Sequence, residues 1–494
     1  MKPSDELHQL VKNLSMSEKR YFKIFSSRHV IGGQNNYTRL FDAIEKQEIY
    51  DEQKIKNTFA KETFISHLPS EKHYLYNHIL ESLNSFHKER TFLTRYANII
   101  VTIEILFNKG LFEQCKRVIK KAKAEAYSLE KFPILNLIIR WETLIFIKDE
   151  DVKNLYKSFD EELRILEVIR IQSALMRIAF RIQIEIYKGN ISQAFYKSQE
   201  AEIKKYFPPK KEVNSFWAKY YNFSGMALIY SMRNMQLQQY NCYKEINALM
   251  QNASQFIVDL PRIYHSNNNN LVNLMFILEK NDEAKQLIQH QRTFMQTYKI
   301  KNPALAKVIF MNTNESELYL FYRSEQYDKG VELIKRIEPE LKKISLLFSP
   351  IIFDLLYMMA AVTLCAEDYK SAVKWLNKIL NTEKEMNIRM ELRINSRLLY
   401  LITLYEKEDL FFDNQYNSVK RFMAQEKGYK TQSKILEVIH LFADEKPSEI
   451  KKNKVKQIYK SIKADRKKLR ADVIDKQFDF EQWIEEQLIH KKWI

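Results

Sequence analysis

Glycine and proline are scarce in this sequence, which has only 7 glycines and 10 prolines among its 494 residues. Soluble proteins average roughly 7% glycine and 5% proline. Tight β-hairpin turns and phosphate-binding loops depend on glycine. No GxxxxGK(S/T), GxGxxG or GxSxG motif occurs, so neither a nucleotide-binding loop nor a nucleophile elbow is predicted. Long helices are the structure that this composition favours.

Cysteine is also rare, and the three cysteines lie far apart at Cys115, Cys242 and Cys365. Their spacing matches neither a disulfide framework nor a zinc site, which is typical of a protein in a reducing compartment. We expect all three to be small core residues. Because burial raises the pKa of a thiol and suppresses its reactivity, none is predicted to be a nucleophile.

Histidine, the remaining common metal ligand, shows no ligand spacing. The closest group among the ten histidines is His67, His73, His78 and His87. Two ligands on one helix face stand at i and i+4, whereas His73 and His78 are five residues apart and point about 140° away from each other. The sequence therefore predicts no metal site, no cofactor and no enzymatic activity.

Long apolar runs are missing as well. No apolar stretch follows Lys2, and no window approaches the roughly 18 apolar residues that a membrane span needs. We therefore expect a cytoplasmic protein without a membrane span.

What the sequence does contain is a large supply of core and surface residues, 45% hydrophobic and 29% charged. A chain of this length exceeds one compact core, so it forms either several domains or a repeat array that grows lengthwise. Its net charge of +17 favours attraction to acidic proteins, nucleic acid or membrane surfaces without identifying a partner.

A recurring pattern favours the repeat array. In the stretch 355–380 an apolar helix is predicted to end near Ala366, and Asp368 is predicted to cap the next helix. Tyr369, Ala372, Leu376 and Ile379 then fall at i, i+3, i+7 and i+10, which is one helical face. A small residue three positions after a large one allows two helices to approach closely where they cross.

The same four positions recur at Phe112, Cys115, Ile119 and Ala122, at Ile191, Ala194, Ser198 and Ala201, and at Tyr327, Gly330, Ile334 and Ile337. Weaker copies centre on Leu155, Cys242, Ala284 and Gln415. Taken together, the anchor positions of these copies are 115, 155, 194, 242, 284, 330, 372 and 415. Their spacing of about 40 to 48 residues is typical of stacked helical hairpins. We predict an all-α fold, an α-solenoid of about eight antiparallel helix hairpins.

The pattern resembles the tetratricopeptide-repeat (TPR) family in a degenerate form. The resemblance rests on Ala360 in the first helix of the clearest unit and on Tyr369, Ala372 and Leu376 in its second helix. The period is longer than the 34 residues usual for the family, and Lys384 stands where the family places proline. The resemblance implies TPR-like repeats over residues 91–427 and a concave surface that binds a protein or peptide.

Residues 1–90 do not follow the period and are predicted to form four or five shorter helices. Ser15 and Glu18 make a capping-box pattern at the start of the second, and another helix is predicted to begin at Pro69. A helix-turn-helix DNA reader is one interpretation. Because basic and acidic side chains nearly balance and no basic recognition helix is present, we favour an N-terminal cap domain for the array.

Residues 428–494 are predicted to form a C-terminal helical cap. The stretch 451–470 carries ten basic residues and one acid, and its apolar positions indicate an amphipathic helix with a cationic outer face. An acidic, aromatic helix follows. It either packs back on the basic helix and partly neutralises it, or leaves an anion-binding face.

Three groups of residues are candidate binding sites. Lysines that could contact phosphates lie on the basic helix at Lys451, Lys452, Lys454, Lys456, Lys460, Lys463 and Lys467. Lysines around two aromatic residues lie in the segment 204–211 at Lys204, Lys205, Lys210 and Lys211, where the alternative is a solvated loop. Adjacent amides that could fix a peptide backbone in a groove are Asn267, Asn268, Asn269 and Asn270, where the alternative is a polar helix start.

Two functions follow from these features. The first is a non-catalytic scaffold that binds a protein or peptide partner on the concave face of the array. The alternative is nucleic-acid or ribonucleoprotein binding through the basic surfaces at 451–470 and 204–211.

Overall fold

In the part of the chain that it describes, the computed structural model contains helices joined by turns and loops and no β-strands. The described residues are 5–27, 36–48, 50–88, 92–188, 193–206, 215–345, 349–382, 388–426, 428–444, 448–468 and 478–493. Their contacts divide the chain into two compact units, residues 1–169 and 170–494. None of the helices in these ranges is both long enough and apolar enough to cross a membrane.

The first unit begins with short helices and continues with longer ones. Its helices are α1 (Glu6–Asn13), α2 (Met16–Ser27), α3 (Asn36–Glu45), α4 (Glu52–Thr58), a 3-10 helix (Thr63–His67), α5 (Leu68–His87), α6 (Phe92–Asn108), α7 (Phe112–Ser128), α8 (Phe132–Lys148) and the first half of α9 (Val152–Lys188). The boundary between the two units falls within α9.

The second unit contains the remaining fifteen helices of the described ranges. They are α10 (Gln193–Tyr206), α11 (Phe216–Met232), α12 (Gln236–Asn252), α13 (Ser254–Asp259), α14 (Pro261–Ile277), α15 (Asn281–Thr297), α16 (Pro303–Arg323), α17 (Tyr327–Leu341), α18 (Ile351–Cys365), α19 (Tyr369–Thr382), α20 (Met390–Glu406), α21 (Phe412–Ala424), α22 (Lys430–Ala443), α23 (Glu449–Lys468) and α24 (Phe480–His490).

The N-terminal helices share one hydrophobic cluster, which runs from Leu7 to Ile79. The capping box predicted at the start of α2 is confirmed, because the Ser15 N–H donates to Glu18 Oε2 at 2.7 Å and the Glu18 N–H donates to Ser15 Oγ at 3.3 Å. Each side chain thus accepts from a backbone N–H that the helix leaves free. The predicted domain boundaries at 90/91 and 427/428 remain predictions.

Helices in the second unit pack in sequence and also two apart. Helices α14, α16, α18, α20 and α22 each contact the next member of this series as well as the helix between them. Most of this series is more deeply buried than the helices between: α18 buries 12 of its 15 residues, whereas α19 buries only four of its 14. One set of helices therefore forms the core of the unit, and the other set covers it with an amphipathic face.

The clearest predicted hairpin forms as expected. Helix α18 ends at Cys365, and Asp368 Oδ1 accepts from the Ser371 N–H at 3.1 Å at the start of α19. Ala372, Leu376 and Ile379 are buried on one face of α19. The prediction for residues 355–380 is confirmed at the level of both helices and the turn between them.

A single turn geometry recurs along the chain. In each case a residue with positive φ follows a helix, and the next backbone N–H donates to the carbonyl five residues earlier at 2.8–2.9 Å, as at Asp368 to Thr363 and Lys280 to Met275. This bond is typical of the Schellman motif that ends helices. Glycine usually holds the positive-φ position, but here it is most often glutamate. The positions in the described ranges are Gly110, Glu130, Glu150, Asn234, Glu279, Lys299, Glu325, Glu367, Glu408 and Lys492.

The eight predicted anchor positions fall into three groups by burial. Cys115, Cys242, Ala284, Gly330 and Ala372 are buried, Leu155 and Gln415 are half-buried, and Ala194 is exposed. The buried ones at 115, 284, 330 and 372 all follow a positive-φ residue by five positions. In α12 the equivalent residue is the buried Gln239, so Cys242 was assigned one helical turn too late.

Two predictions in the middle of the array were wrong. Ala194, Ser198 and Ala201 are exposed, and α10 instead buries Gln199 and Ile203; Ile191 lies outside the described residues. Helix α9 runs unbroken for 37 residues where the period predicted a turn. It contains neither glycine nor proline, so nothing in its sequence ends the helix.

Candidate binding sites

The basic helix α23 lies in the second unit and is partly neutralised by its neighbours. Lys451 was predicted to contact anions, but its side chain is only 6% exposed and pairs with Asp444 Oδ2 at 3.0 Å. It also donates to the Asp444 carbonyl. A buried and paired ammonium cannot reach a phosphate, so the prediction for Lys451 was wrong.

The other lysines of α23 differ in their contacts. Lys454 pairs with Glu437 at 2.6 Å, and Lys463 pairs with Glu485 of α24 at 3.4 Å. Lys452 and Lys456 are half-buried and Lys460 is exposed; the Lys467 side chain lies outside the described residues. The acidic final helix does pack against the basic one, and only part of the cationic face stays exposed.

The segment 204–211 is described only at its start. Lys204 and Lys205 are exposed at the C-terminal end of α10, and Lys204 pairs with Glu200 at 2.9 Å. Lys210 and Lys211 lie outside the described residues. An ion pair within one exposed helical turn contributes little to stability, so Lys204 could exchange it for a phosphate.

The four adjacent asparagines lie in the middle of α14, on the core side of the second unit. Asn267 and Asn268 are buried, with 6% and 1% of their surface exposed, and Asn269 and Asn270 are half-buried. The Asn267 side chain faces Met250. Asn267 and Asn268 are therefore packed between helices instead of facing an open groove, and only Asn269 and Asn270 remain candidates for peptide contact.

A histidine lies beside these amides. His265 is 3% exposed, and its Nε2 lies 3.0 Å from the side-chain nitrogen of Asn312 in α16. Burial lowers the pKa of His265 to about 4, and a hydrogen bond with Gln291 opposes this shift less strongly. The imidazole is therefore neutral near pH 7, with Nε2 accepting from the Asn312 amide.

Exposed apolar side chains are concentrated in the first unit, which sequence reasoning did not single out. Two stripes lie on the contacting helices α6 and α8. The exposed residues of these stripes are Leu93, Val101 and Ile105 on α6, and Leu137, Leu144 and Ile147 on α8. Their spacing of three, four, seven or eight residues places each set on one helical face. We call them the α6–α8 stripes.

A third apolar stripe lies on α9. Its members are Val152, Tyr156, Phe159, Leu163 and Leu166. The helix buries a different face, on which Ser158 accepts from the Thr143 hydroxyl of α8 at 3.0 Å. This second apolar surface, the α9 stripe, also belongs to the first unit.

The second unit contains an acidic cavity of about 700 Å³. It lies where α24 crosses the C-terminal ends of α16, α18 and α20 and the turns that follow α16 and α18. Its charged lining is Arg323, Glu325, Glu367, Glu406, Asp479 and Glu486. Its aromatic lining is Tyr322, Tyr327, Tyr369, Phe478 and Trp483. Five carboxylates against one guanidinium make this cavity strongly negative in a chain whose net charge is +17.

Hydrogen bonds from α24 hold the walls of this cavity together. Glu406 Oε1 accepts from Trp483 Nε1 at 2.6 Å and from Gln487 Nε2 at 2.9 Å. The Tyr322 hydroxyl accepts from the Asp479 N–H at 2.7 Å. These bonds join α24 and its N-cap to helices more than 70 residues earlier in the chain. Helix α24 also contacts its neighbours α22 and α23.

The negative potential of the cavity shows in its titratable groups. Burial, with the nearby charge of Glu486, raises the pKa of Glu406 despite the hydrogen bond from Trp483. Burial and the carboxylates of Glu486 and Glu406 raise the pKa of Cys365 to about 12. Burial first, and nearby negative charge second, also raise the pKa of Tyr322 and Tyr327.

The cysteines behave as the sequence predicted. Cys115 and Cys242 are buried and Cys365 is half-buried. Burial raises the pKa of all three thiols, that of Cys242 to about 12, so each stays protonated near pH 7. In the described ranges no three His, Cys, Asp or Glu side chains come close enough together to hold a metal ion.

Comparison with known proteins adds no relative: no protein-family model, curated protein or solved structure matches this chain.

Proposed function

We propose that this protein is a non-catalytic interaction scaffold, a TPR-like α-solenoid that binds a protein partner through the α6–α8 stripes. The observation that carries the proposal is the exposure of these stripes: Leu93 is 67% exposed and Ile147 is 51% exposed. Large apolar side chains at exposed positions on adjacent helices are typical of protein-binding surfaces.

The array of helix pairs supports a repeat interpretation. Helices pack with their sequence neighbours, members of one series also contact each other, and one turn geometry with a positive-φ residue recurs between them. A repeat unit buries its apolar face only by stacking on its neighbours. These features fit a solenoid of helical hairpins with one fused helix at α9.

The TPR resemblance indicates which helices face the partner. In that family the first helix of each pair lines the concave surface, and α6 and α8 are the first helices of the pairs α6–α7 and α8–α9. The corresponding helices of the second unit, such as α18, are buried on most sides. The proposed partner surface is therefore in the first unit.

A variant pair tests this proposal. Leu137→Lys and Leu144→Lys together place two charges in the α8 stripe without touching a buried position, since both side chains are more than 40% exposed. The matched control is Phe159→Lys with Leu163→Lys in the α9 stripe. Proteins that co-purify with the wild-type chain are identified by mass spectrometry, and binding of each candidate is then measured with purified components.

We expect a partner whose affinity falls at least tenfold in the α8 variant and less than twofold in the α9 control. Charged groups inserted into an apolar interface core cost that much because they must be desolvated. A partner that binds both variants like the wild type would contradict the proposal.

Nucleic-acid binding is the second candidate function, and the exposure of Lys460 next to the half-buried Lys452 and Lys456 favours it. Phosphate binding would weaken steeply as salt rises, whereas binding at an apolar stripe would not. The sharp test is Lys452→Glu, Lys456→Glu and Lys460→Glu combined, which leaves the buried Lys451 in place. RNA or DNA binding that survives this triple variant would eliminate the basic helix as the contact surface.

A further inference from the structure

The geometry points to a binding site for an organic ammonium group in the acidic, aromatic cavity that α24 forms with the ends of α16, α18 and α20. This site is independent of the partner surface proposed above. It lies in the second unit and uses different residues.

The size of the cavity fits a small molecule or one long side chain. Ligand sites in proteins enclose roughly 300–1,000 Å³, and this cavity holds about 700 Å³. Metal ions are a poorer match, because the described acidic side chains do not gather into a set of ligands around one point. A bulky cation with its charge at the end of an apolar chain suits widely placed carboxylates better.

The cavity wall combines the two groups that recognise alkylammonium ions. Aromatic faces attract a cation through their quadrupole. Carboxylates accept charge-assisted hydrogen bonds from the ammonium N–H groups. Tyr327, Tyr369 and Trp483 supply the rings. The carboxylates of Glu325, Glu367 and Glu406 come from three successive helix ends, so they surround the space instead of forming one cluster.

A buried polar group also faces this space. The Tyr322 side chain is 8% exposed and lines the cavity. Its oxygen accepts from the Asp479 N–H, and a hydroxyl oxygen has a second lone pair that can accept from an ammonium N–H. Arg323, the one basic side chain of the lining, is exposed, as are Glu325, Glu367 and Glu486, whereas Glu406 and Asp479 are half-buried. Carboxylates therefore lie both at exposed positions and deeper in the lining.

Two of the carboxylates can be removed without disturbing the backbone. Glu325 and Glu367 occupy the positive-φ positions of their turns, with φ of 53° and 59°. Glycine adopts this conformation more readily than glutamate. Glu325→Gly with Glu367→Gly therefore removes two negative charges from the cavity and keeps each turn. Glu150→Gly with Glu279→Gly makes the same change at equivalent turns outside the cavity.

Calorimetric titration of the full chain tests the site. The ligands are 1,5-diaminopentane, spermidine, and a short blocked peptide with a single lysine, and 1,5-pentanediol is the uncharged control for the diamine. We expect an amine to bind at least tenfold more tightly than the diol at low salt. That affinity should fall at least fivefold in the Glu325→Gly/Glu367→Gly variant and stay within twofold in the Glu150→Gly/Glu279→Gly control.

The outcomes distinguish the source of the ammonium group. Tighter binding of the free amines would assign the site to a small polyamine, and tighter binding of the peptide would assign it to a lysine side chain of a protein. Both results support the site. Absence of binding by all three amines at millimolar concentration would overturn it, as would equal loss of binding in the cavity variant and its control.

Discussion

Gly330 in α17 lies so close to Val362 in α18 that a Cβ atom on residue 330 would come within 2.6 Å of Val362 Cγ1. Real Cβ contacts are essentially never that short. The crossing of the two helices therefore depends on the missing side chain. The large-then-small pattern predicted a close approach to the preceding helix of the pair, α16, whereas the tightest contact is with α18, the next helix along the chain.

Gly330→Ala should destabilise the second unit. Alanine favours the helix over glycine by about 1 kcal/mol, but overpacking a tight crossing costs about 1–3 kcal/mol. We expect a net loss, seen as faster hydrogen exchange in α17 and α18. In the Val362→Ala background the same substitution should cost at least about 1 kcal/mol less, because the clashing methyl group is gone. A stabilising effect of Gly330→Ala in the wild-type background would contradict the close crossing.

The recurring turns should gain stability from glycine. Glu279 has a φ of 57°, a conformation that costs an L-residue roughly 1–2 kcal/mol. Part of that gain is lost to the greater freedom of glycine in the unfolded chain. We expect Glu279→Gly to raise the free energy of unfolding by about 0.5–1 kcal/mol in urea denaturation.

The matched control for this prediction is Gln289→Gly, at an exposed position inside the neighbouring helix α15. Glycine there should lower stability by about 1 kcal/mol. If both substitutions destabilise equally, the left-handed geometry of the turn is not the reason for the effect.

His265 should make the protein less stable in mild acid. Its folded-state pKa is lowered to about 4 from an ordinary value of 6.5, so between these values the unfolded chain binds a proton that the folded chain does not. Stability therefore rises with pH across this window and is lost as pH falls from about 6.5 to about 4. The loss is on the order of 3 kcal/mol.

His265→Gln isolates this effect, because the glutamine carbonyl can accept from Asn312 but does not titrate. The difference in unfolding free energy between the two proteins, measured by urea titration at several pH values, should shrink or reverse as the pH falls. His290, whose pKa burial also lowers, is present in both proteins and cancels. A difference that stays constant from pH 7 to pH 4 would show that His265 is not buried as described.

Charge reversal at Lys451 and at Lys460 should change stability by very different amounts. Lys451→Glu places an unpaired carboxylate at a site that is 6% exposed and next to the half-exposed Asp444, and burying an unpaired charge costs on the order of several kcal/mol. Lys460→Glu changes an exposed side chain on the same helix and should change stability by less than about 0.5 kcal/mol. The midpoints of thermal unfolding compare the two. Equal midpoints would contradict the burial of Lys451.

Much of the fold could be predicted because helix periodicity and caps are local. The pairs Ser15–Glu18 and Asp368–Ser371 form from neighbouring residues, and α18 and α19 follow from their apolar spacing. The residue at which a helix ends, and the residues with which it faces its neighbours, depend less on local sequence. Glutamate at positive φ has no sequence signature that separates it from helical glutamate. The turn before α12 has Asn234 at positive φ, and Cys242 was placed a turn late because residue size alone set the register. Helix α9 was expected to break because the period extends across it.

The candidate sites were harder to predict because they depend on tertiary contacts. Nothing in the spacing of the basic stretch distinguishes Lys451 from Lys460, although only the first meets Asp444. The acidic cavity joins Tyr322 to Asp479 across 157 residues, which no local pattern can show. The sequence shows α6 and α8 only as apolar helices. Whether their apolar side chains are exposed depends on which other helices pack against them, and the sequence pattern does not show this.

The most direct test of the scaffold function is site-specific photo-crosslinking in the native cell. A photoreactive phenylalanine analogue replaces Ile105 in α6, Leu144 in α8 or, for comparison, Leu163 in the α9 stripe; all three side chains are exposed. We predict that positions 105 and 144 cross-link to the same partner protein and that position 163 does not. Cross-linking of that partner at position 163 alone would contradict binding through α6 and α8.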